Sequence, residues 1–322
     1  MKPALRRIWH LFGRWFPWIA LVGVTIGIVL AVRGQWDAIT TLDWEHAWRV
    51  VLVAAVLFGV APIAQATTSW IILRLLGASA PFGESMAIWA HAYVLRYAPS
   101  GALALVYRVR QRERVGATRD QIFVSEAYEN LGSMTAGACA FLVGFLVIAT
   151  PPPWLGLVVA VPVLVVAFAV RSRFLGVWAQ KALRRIGVDT AILRGRHVVL
   201  LVLVNLAAWP FTGLAFLVLL NGLSDEPSPG LAWAIATYSV GYLVGFVVPF
   251  LPGGLGAREG TLVATLAPRY GAGAATGIAL ASRLAATLGE AAAVGAIWAV
   301  HLTVRRFRAE GRPRRAGPSE SG

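Results

Sequence analysis

Ionisable side chains set in apolar sequence are where this chain could do chemistry. In "FLPGGLGAREG", residues 250–260, Pro252, Gly253, Gly254 and Gly256 break the backbone beside Arg258 and Glu259. A glycine-rich turn that opens a helix aims backbone N–H groups at an anion. The guanidinium of Arg258 adds a planar fork suited to phosphate, and it stays charged when partly desolvated. Glu259 points about 100° away around the same helix, so it is expected to serve another partner, Arg283 or Arg108. In "DQIFVSEAYENLGS" Glu126 and Glu129 fall at i, i+3 on one helix face, with Ser125, Tyr128 and Asn130 close by. In "SRLAATLGE" Arg283 and Glu290 lie two turns apart on one side of a helix. A second broken stretch, "LRYAPSGALALVYR", carries Arg96, Pro99, Gly101 and Arg108.

These groups permit one kind of work, in which arginines hold an anion and glutamates balance the charge or carry protons. Each also has a plainer reading. Glu126 and Arg96 could snorkel to an interface. Arg283 and Glu290 could form ion pairs with Glu126, Glu129 or Arg258 that merely fasten helices together. Isolated buried pairs stabilise poorly against apolar packing, which favours a functional reading. His91 reads as a satisfied core histidine, and the five histidines show no metal-ligand spacing. There is no phosphate-binding loop, zinc-protease motif or nucleophile elbow, so neither enzymatic activity nor a cofactor is expected.

The elements that must position these residues are membrane helices. The chain is 58% hydrophobic and 14% charged, with mean hydropathy +0.69. Those values lie far from a soluble domain, and apolar runs of about 20 residues or more recur. The strict alternation of an outer-membrane barrel is missing. A net charge of +14 would suit nucleic acid, but the arginines sit in short clusters between apolar spans, as cytoplasmic loops do. The one cysteine, Cys139, excludes a disulfide framework. The run at 15–32 is longer than a signal-peptide core and lacks a cleavage signature, so it reads as a retained first helix.

Full spans are expected near 15–32, 48–73, 121–149, 154–170, 197–221 and 274–303, with two interrupted stretches at 84–106 and 230–268. Basic clusters at 2–14, 108–119, 171–196 and 305–315 hold most of the 29 Lys and Arg residues. The positive-inside rule places all four, and both termini, in the cytoplasm of an inner-membrane protein. Segment 84–106 must then enter and leave on the cytoplasmic side, and 230–268 on the outer side. The fold expected is an all-α polytopic integral membrane protein of about six full spans plus two Pro/Gly-tipped re-entrant helical hairpins. Its halves, about 15–149 and 154–303, read as an inverted repeat. A basic N-terminus, 1–14, precedes this single domain, and a basic tail, 304–322, reads as disordered.

"PFLPGGLGAREG" followed by "ASRLAATLGE", with "LRYAPSGALALVYRVRQRERVGA" and "SEAYENLG" before them, resembles the lysylphosphatidylglycerol synthase transmembrane region, or flippase-like, family. The likeness covers residues 15–303; Ser100 stands where a second glycine is common in the first motif. In the multiple peptide resistance factors this domain is understood to flip aminoacylated phosphatidylglycerol, and a soluble aminoacyltransferase domain follows it. This sequence stops at Gly322 without that domain, so no synthase activity is expected. The resemblance implies a flippase-like transporter of an anionic phospholipid or a polyprenyl-linked lipid, driven by a gradient or by downhill flow. The substrate residues expected are Arg258, Glu259, Arg283, Glu290, Glu129, Glu126, Arg108 and Arg96, with the Pro and Gly positions of both tips. The rival reading is a non-transporting scaffold for a separate lipid or glycan biosynthetic enzyme.

Overall fold

Long apolar stretches fold here as helices, because lipid offers no partner for an unpaired backbone group. The computed structural model describes residues 44–95, 102–147, 192–247 and 256–310, with three further positions between 181 and 187. Among them there is no strand. The expected spans at 15–32 and 154–170, the N-terminus and residues 311–322 lie outside the described residues. So do Arg96, Pro99, Gly101, Pro252, Gly253 and Gly254.

Helix α1, Trp44–Phe58, runs on after a break at Gly59 into α2, Val60–Leu75. Two short helices follow, α3, Phe82–Leu95, and α4, Ala102–Arg110. A single 3-10 turn, Arg112–Val115, leads into the 29-residue α5, Arg119–Val147. Then come α6, Gly195–Leu206; α7, Trp209–Gly222; α8, Leu231–Val247; and the 54-residue α9, Ala257–Glu310. Three stretches among the described residues are long and apolar enough to cross a membrane: Glu45–Leu75, Gly195–Gly222 and Ala257–Arg306. The chain is therefore a helical membrane protein.

The start of α5 shows how local sequence sets the register of a whole helix. In "TRDQ" the Thr118 hydroxyl accepts from the Gln121 N–H at 3.2 Å, and the Gln121 carboxamide oxygen accepts from the Thr118 N–H at 2.8 Å. This reciprocal cap satisfies two donors that the helix cannot, and caps of this kind are worth about 1 kcal/mol. Gln121 also donates to the Leu76 carbonyl at 2.7 Å, tying the cap to the end of α2. Glu126 and Glu129 are thereby held one and two turns above a fixed point.

The chain reading treats the second broken stretch and the last span as separate elements. The structure keeps them apart as well: the run α9 is two helical arms divided at Gly271, whose φ 76° and ψ 159° are not helical. Glycine populates that region without a Cβ penalty. Glu259 lies twelve residues before Gly271 and Arg283 twelve after it, yet their charged atoms are 3.9 Å apart. Along a straight helix they would be separated by about 36 Å. Helix α9 is therefore folded back on itself at Gly271, and the two residues meet at the same depth. From the bend each lies about 18 Å along its arm.

The short helices form two packed pairs, α3 with α4 and α8 with the first arm of α9. Around α3 and α4, Arg114 bridges Glu84 at 2.5 Å and the Ala80 N–H donates to the Val115 carbonyl at 2.9 Å. The start of α3 and the turn after α4 thus lie together, beside Arg112, Arg114 and Arg119. Around α8 and the first arm of α9, Arg269 donates to the Pro227 carbonyl at 2.8 Å, beside Asp225 and Glu226. The far ends of both pairs reach the same interior space, lined by Tyr93 and Ala104 on one side and by Phe246 and Arg258 on the other.

Candidate functional site

That space is a cavity of about 390 Å³ between the two pairs. It is lined by Arg108, Arg258 and Arg283 and by Glu126, Glu129 and Glu290. Three formal positive charges face three negative ones at a depth where an unpaired charge is costly. Glu259 sits just behind this lining, 7% exposed.

Arg108 anchors the first cluster and is 4% exposed. One terminal nitrogen donates to Glu126 at 2.5 Å and to Glu129 at 3.1 Å. The other donates to Glu129 at 2.6 Å, Ser69 at 2.9 Å and Ser125 at 3.4 Å. Glu129 also accepts from the Ser125 hydroxyl at 2.8 Å and the Trp89 indole N–H at 3.2 Å. The fork of Arg108 is thus consumed by oxygens of α2 and α5. Its terminal N–H groups answer the two carboxylates it faces. The i, i+3 spacing of Glu126 and Glu129 did place both on one face, and that face meets Arg108.

The second cluster lies on the arms of α9. The Glu259 carboxylate accepts from the Gly256 N–H at 2.7 Å, and its other oxygen lies 3.9 Å from Arg283. Glu259 is the N3 residue reaching back to the cap position, which is half of a capping box. The backbone donor that the sequence reserves for an anion is therefore met by the chain's own carboxylate. Arg258 turns the other way and donates to the Tyr238 hydroxyl, with its guanidinium 4.4 Å from the centre of the same ring. Tyr238 is wedged by Phe58 and Phe216, with ring centres 5.0 and 5.1 Å away. This aromatic stack fixes where Arg258 can sit. As expected from their angular separation, Arg258 and Glu259 do not pair with each other.

The two clusters mirror each other with the charges exchanged. In the first, Arg108 on α4 meets Glu126 and Glu129 on α5. In the second, Glu259 on the first arm of α9 meets Arg283 on the second arm. Arg283 and Glu290 lie on one face of α9, and both line the cavity.

Sequence reasoning missed Tyr238, Ser69 and Trp89. Ser69 was open to discovery, since "QATTSW" sets four polar residues inside an apolar span. Tyr238 and Trp89 lie in aromatic-rich helices where nothing local separates a site residue from packing. His91 meets Trp298 at a tilt with ring centres 4.5 Å apart and pairs with the Ala87 carbonyl at 2.8 Å, but it is exposed and not the core histidine expected.

The chain matches the family model described as the lysylphosphatidylglycerol synthase TM region over residues 18–293. No curated protein matches it.

Proposed function

Because this chain belongs to the lysylphosphatidylglycerol synthase transmembrane region family, we propose that it moves an anionic lipid headgroup between the leaflets of the cytoplasmic membrane. The observation that carries this reading is the placing of Arg258 and Arg283 on the wall of one cavity between the two helix pairs. In this reading each pair is a re-entrant hairpin, and the two halves of the chain form an inverted repeat. A headgroup phosphate enters between the tips while its acyl chains stay in lipid. Arg258, steadied by Tyr238, and Arg283 receive the phosphate. Glu259, which already pairs with Arg283, is the internal anion that the phosphate displaces. No enzymatic step is assigned.

Charge-assisted hydrogen bonds contribute about 1.5–3 kcal/mol each, so Arg258→Ala and Arg283→Ala should each slow lipid movement by about 10- to 100-fold. The measurement is transbilayer movement of fluorescent anionic phospholipids in liposomes holding the purified protein. Movement that survives both substitutions unchanged removes these arginines from the site. Absence of movement with every lipid class favours the scaffold reading instead.

The inverted arrangement is tested by single cysteines in a Cys139→Ala background. An impermeant maleimide added to intact cells should label Glu226→Cys and spare Glu113→Cys, which should react only after permeabilisation. Both native side chains are exposed. Labelling of Glu113→Cys from outside overturns the orientation.

A further inference from the structure

Around the cavity negative charge outnumbers positive. Among the described residues Arg108, Arg258 and Arg283 stand against Glu126, Glu129 and Glu290 on the wall, with the buried Glu259 behind it. A phosphate that takes Arg283 from Glu259 deepens the excess, because the displaced carboxylate stays at membrane depth. A positive charge must then enter with the anion, and the first cluster has a place for a proton.

Arg108 is one guanidinium between two carboxylates, and Glu129 takes the larger share of it. The oxygens of Glu129 accept from both terminal nitrogens at 2.6 and 3.1 Å, from the Ser125 hydroxyl at 2.8 Å and from the Trp89 indole N–H at 3.2 Å. Glu126 has one oxygen on Arg108, at 2.5 Å, through a nitrogen that also serves Glu129. Its side chain is 34% exposed against 13% for Glu129, so it is the carboxylate that water in the cavity reaches. Sharing that space are Tyr93 from α3, Arg108 from α4, and Arg258, Arg283 and Glu290 from α9, with neutral amides from α2 and α6 and two tyrosines from α8. Two carboxylates on one cation do not both stay charged cheaply where water is scarce. A proton on Glu126 removes the excess and leaves Arg108 and Glu129 as a matched pair.

We infer that Glu126 is a proton-binding site, filled when an anionic headgroup enters the cavity, so that lipid and proton cross together. This rests on the reading that the cavity receives a lipid anion. The carboxylate takes its proton from water at one face of the membrane and returns it to water at the other, and only that O–H bond is made and broken. A singly charged headgroup and its proton carry no net charge across. Their distribution therefore ignores the membrane potential and follows the pH gradient. One proton per lipid holds a leaflet ratio of about tenfold for each pH unit, toward the more alkaline face.

Proteoliposomes holding fluorescent phosphatidylglycerol are given either a one-unit pH gradient or a potassium diffusion potential. Leaflet distribution is read by quenching the outer leaflet, against protein-free liposomes. The pH gradient should enrich the alkaline face about tenfold, and the potential should do nothing. Glu126→Gln leaves Arg108 paired with Glu129 alone, so it should fold, lose the response to pH and follow the potential instead. Glu290→Gln should keep the response to pH. A wild type that follows the potential, or a response to pH that Glu126→Gln retains, overturns the inference. So does movement confined to a phosphatidylglycerol ester bearing an ammonium group, because the positive charge then comes with the headgroup. Infrared difference spectra of the purified protein between acid and alkaline pH read the site without transport. A carboxylic-acid band that vanishes in Glu126→Gln supports the proton site, and if no lipid moves that result sinks the transport reading alone. Lipid movement with no band lost in Glu126→Gln sinks the proton site alone.

Discussion

Arg108→Leu is expected to cost the folded protein about 3–5 kcal/mol, the usual penalty for removing one partner of a buried ion cluster. Leucine fills much of the space, but it leaves Glu126 and Glu129 facing each other with Ser69 and Ser125 unpaired from the fork. In native Arg108 the guanidinium joins α4 to α2 and α5 through contacts of 2.5–3.4 Å. Arg108→Lys keeps the charge and loses the fork, so it should fall between wild type and leucine. Adding Glu126→Gln and Glu129→Gln to Arg108→Leu should restore much of the loss, because no uncompensated charge then remains. The readout is melting temperature in detergent together with monodisperse yield. If Arg108→Leu alone melts like wild type, the cluster is not what closes this end of the molecule.

Gly289→Leu should be nearly as damaging, for a steric reason. Helix α9 crosses α1 so closely that a Cβ at Gly289 would collide with the Ala55 carbonyl and lie 2.8 Å from the Gly59 nitrogen. From the other side, a Cβ at Gly59 would meet the Gly289 carbonyl at 3.1 Å. Those neighbours are backbone atoms, which cannot swing aside as a side chain can. In lipid no hydrophobic drive holds helices together, so close approach through small residues carries the packing. Gly289→Ala should cost about 1–3 kcal/mol as overpacking, and leucine more. Glu290 is the next residue, so separating the helices also widens the cavity. Gly277 and Gly295, on the same helix, have no atom within 4 Å of an added Cβ. Gly277→Ala and Gly295→Ala should therefore leave the melting temperature unchanged or raise it slightly. Equal melting of Gly289→Leu and Gly295→Ala would show that the α1–α9 crossing is not tight.

Much of this was legible along the chain because it depends on local quantities. Hydropathy marks the helices of a membrane protein, since each span must satisfy its own backbone. The i, i+3 spacing of Glu126 and Glu129 places them on one face wherever that helix lies. The angular gap between Arg258 and Glu259 keeps them apart in the same way. Glu259 was expected to reach either Arg283 or Arg108, and nothing in the sequence could choose. The fold-back at Gly271 made the choice, by bringing residue 283 alongside residue 259.

The sequence by itself determined which residues are charged, which stretches suit lipid and where the backbone can break. The tertiary structure alone decided how those charges are spent. Arg108 could have waited for a ligand, but α5 brings it two carboxylates; Arg258 rests on Tyr238, twenty positions earlier on another helix. Gln65, Asn130 and Asn205 look like isolated polar residues in three separate spans, and they share a wall because α2, α5 and α6 pack together. Helix formation is settled by neighbours within a few residues. The partner of a buried charge is settled by which helices cross at its depth, and that depends on the whole chain.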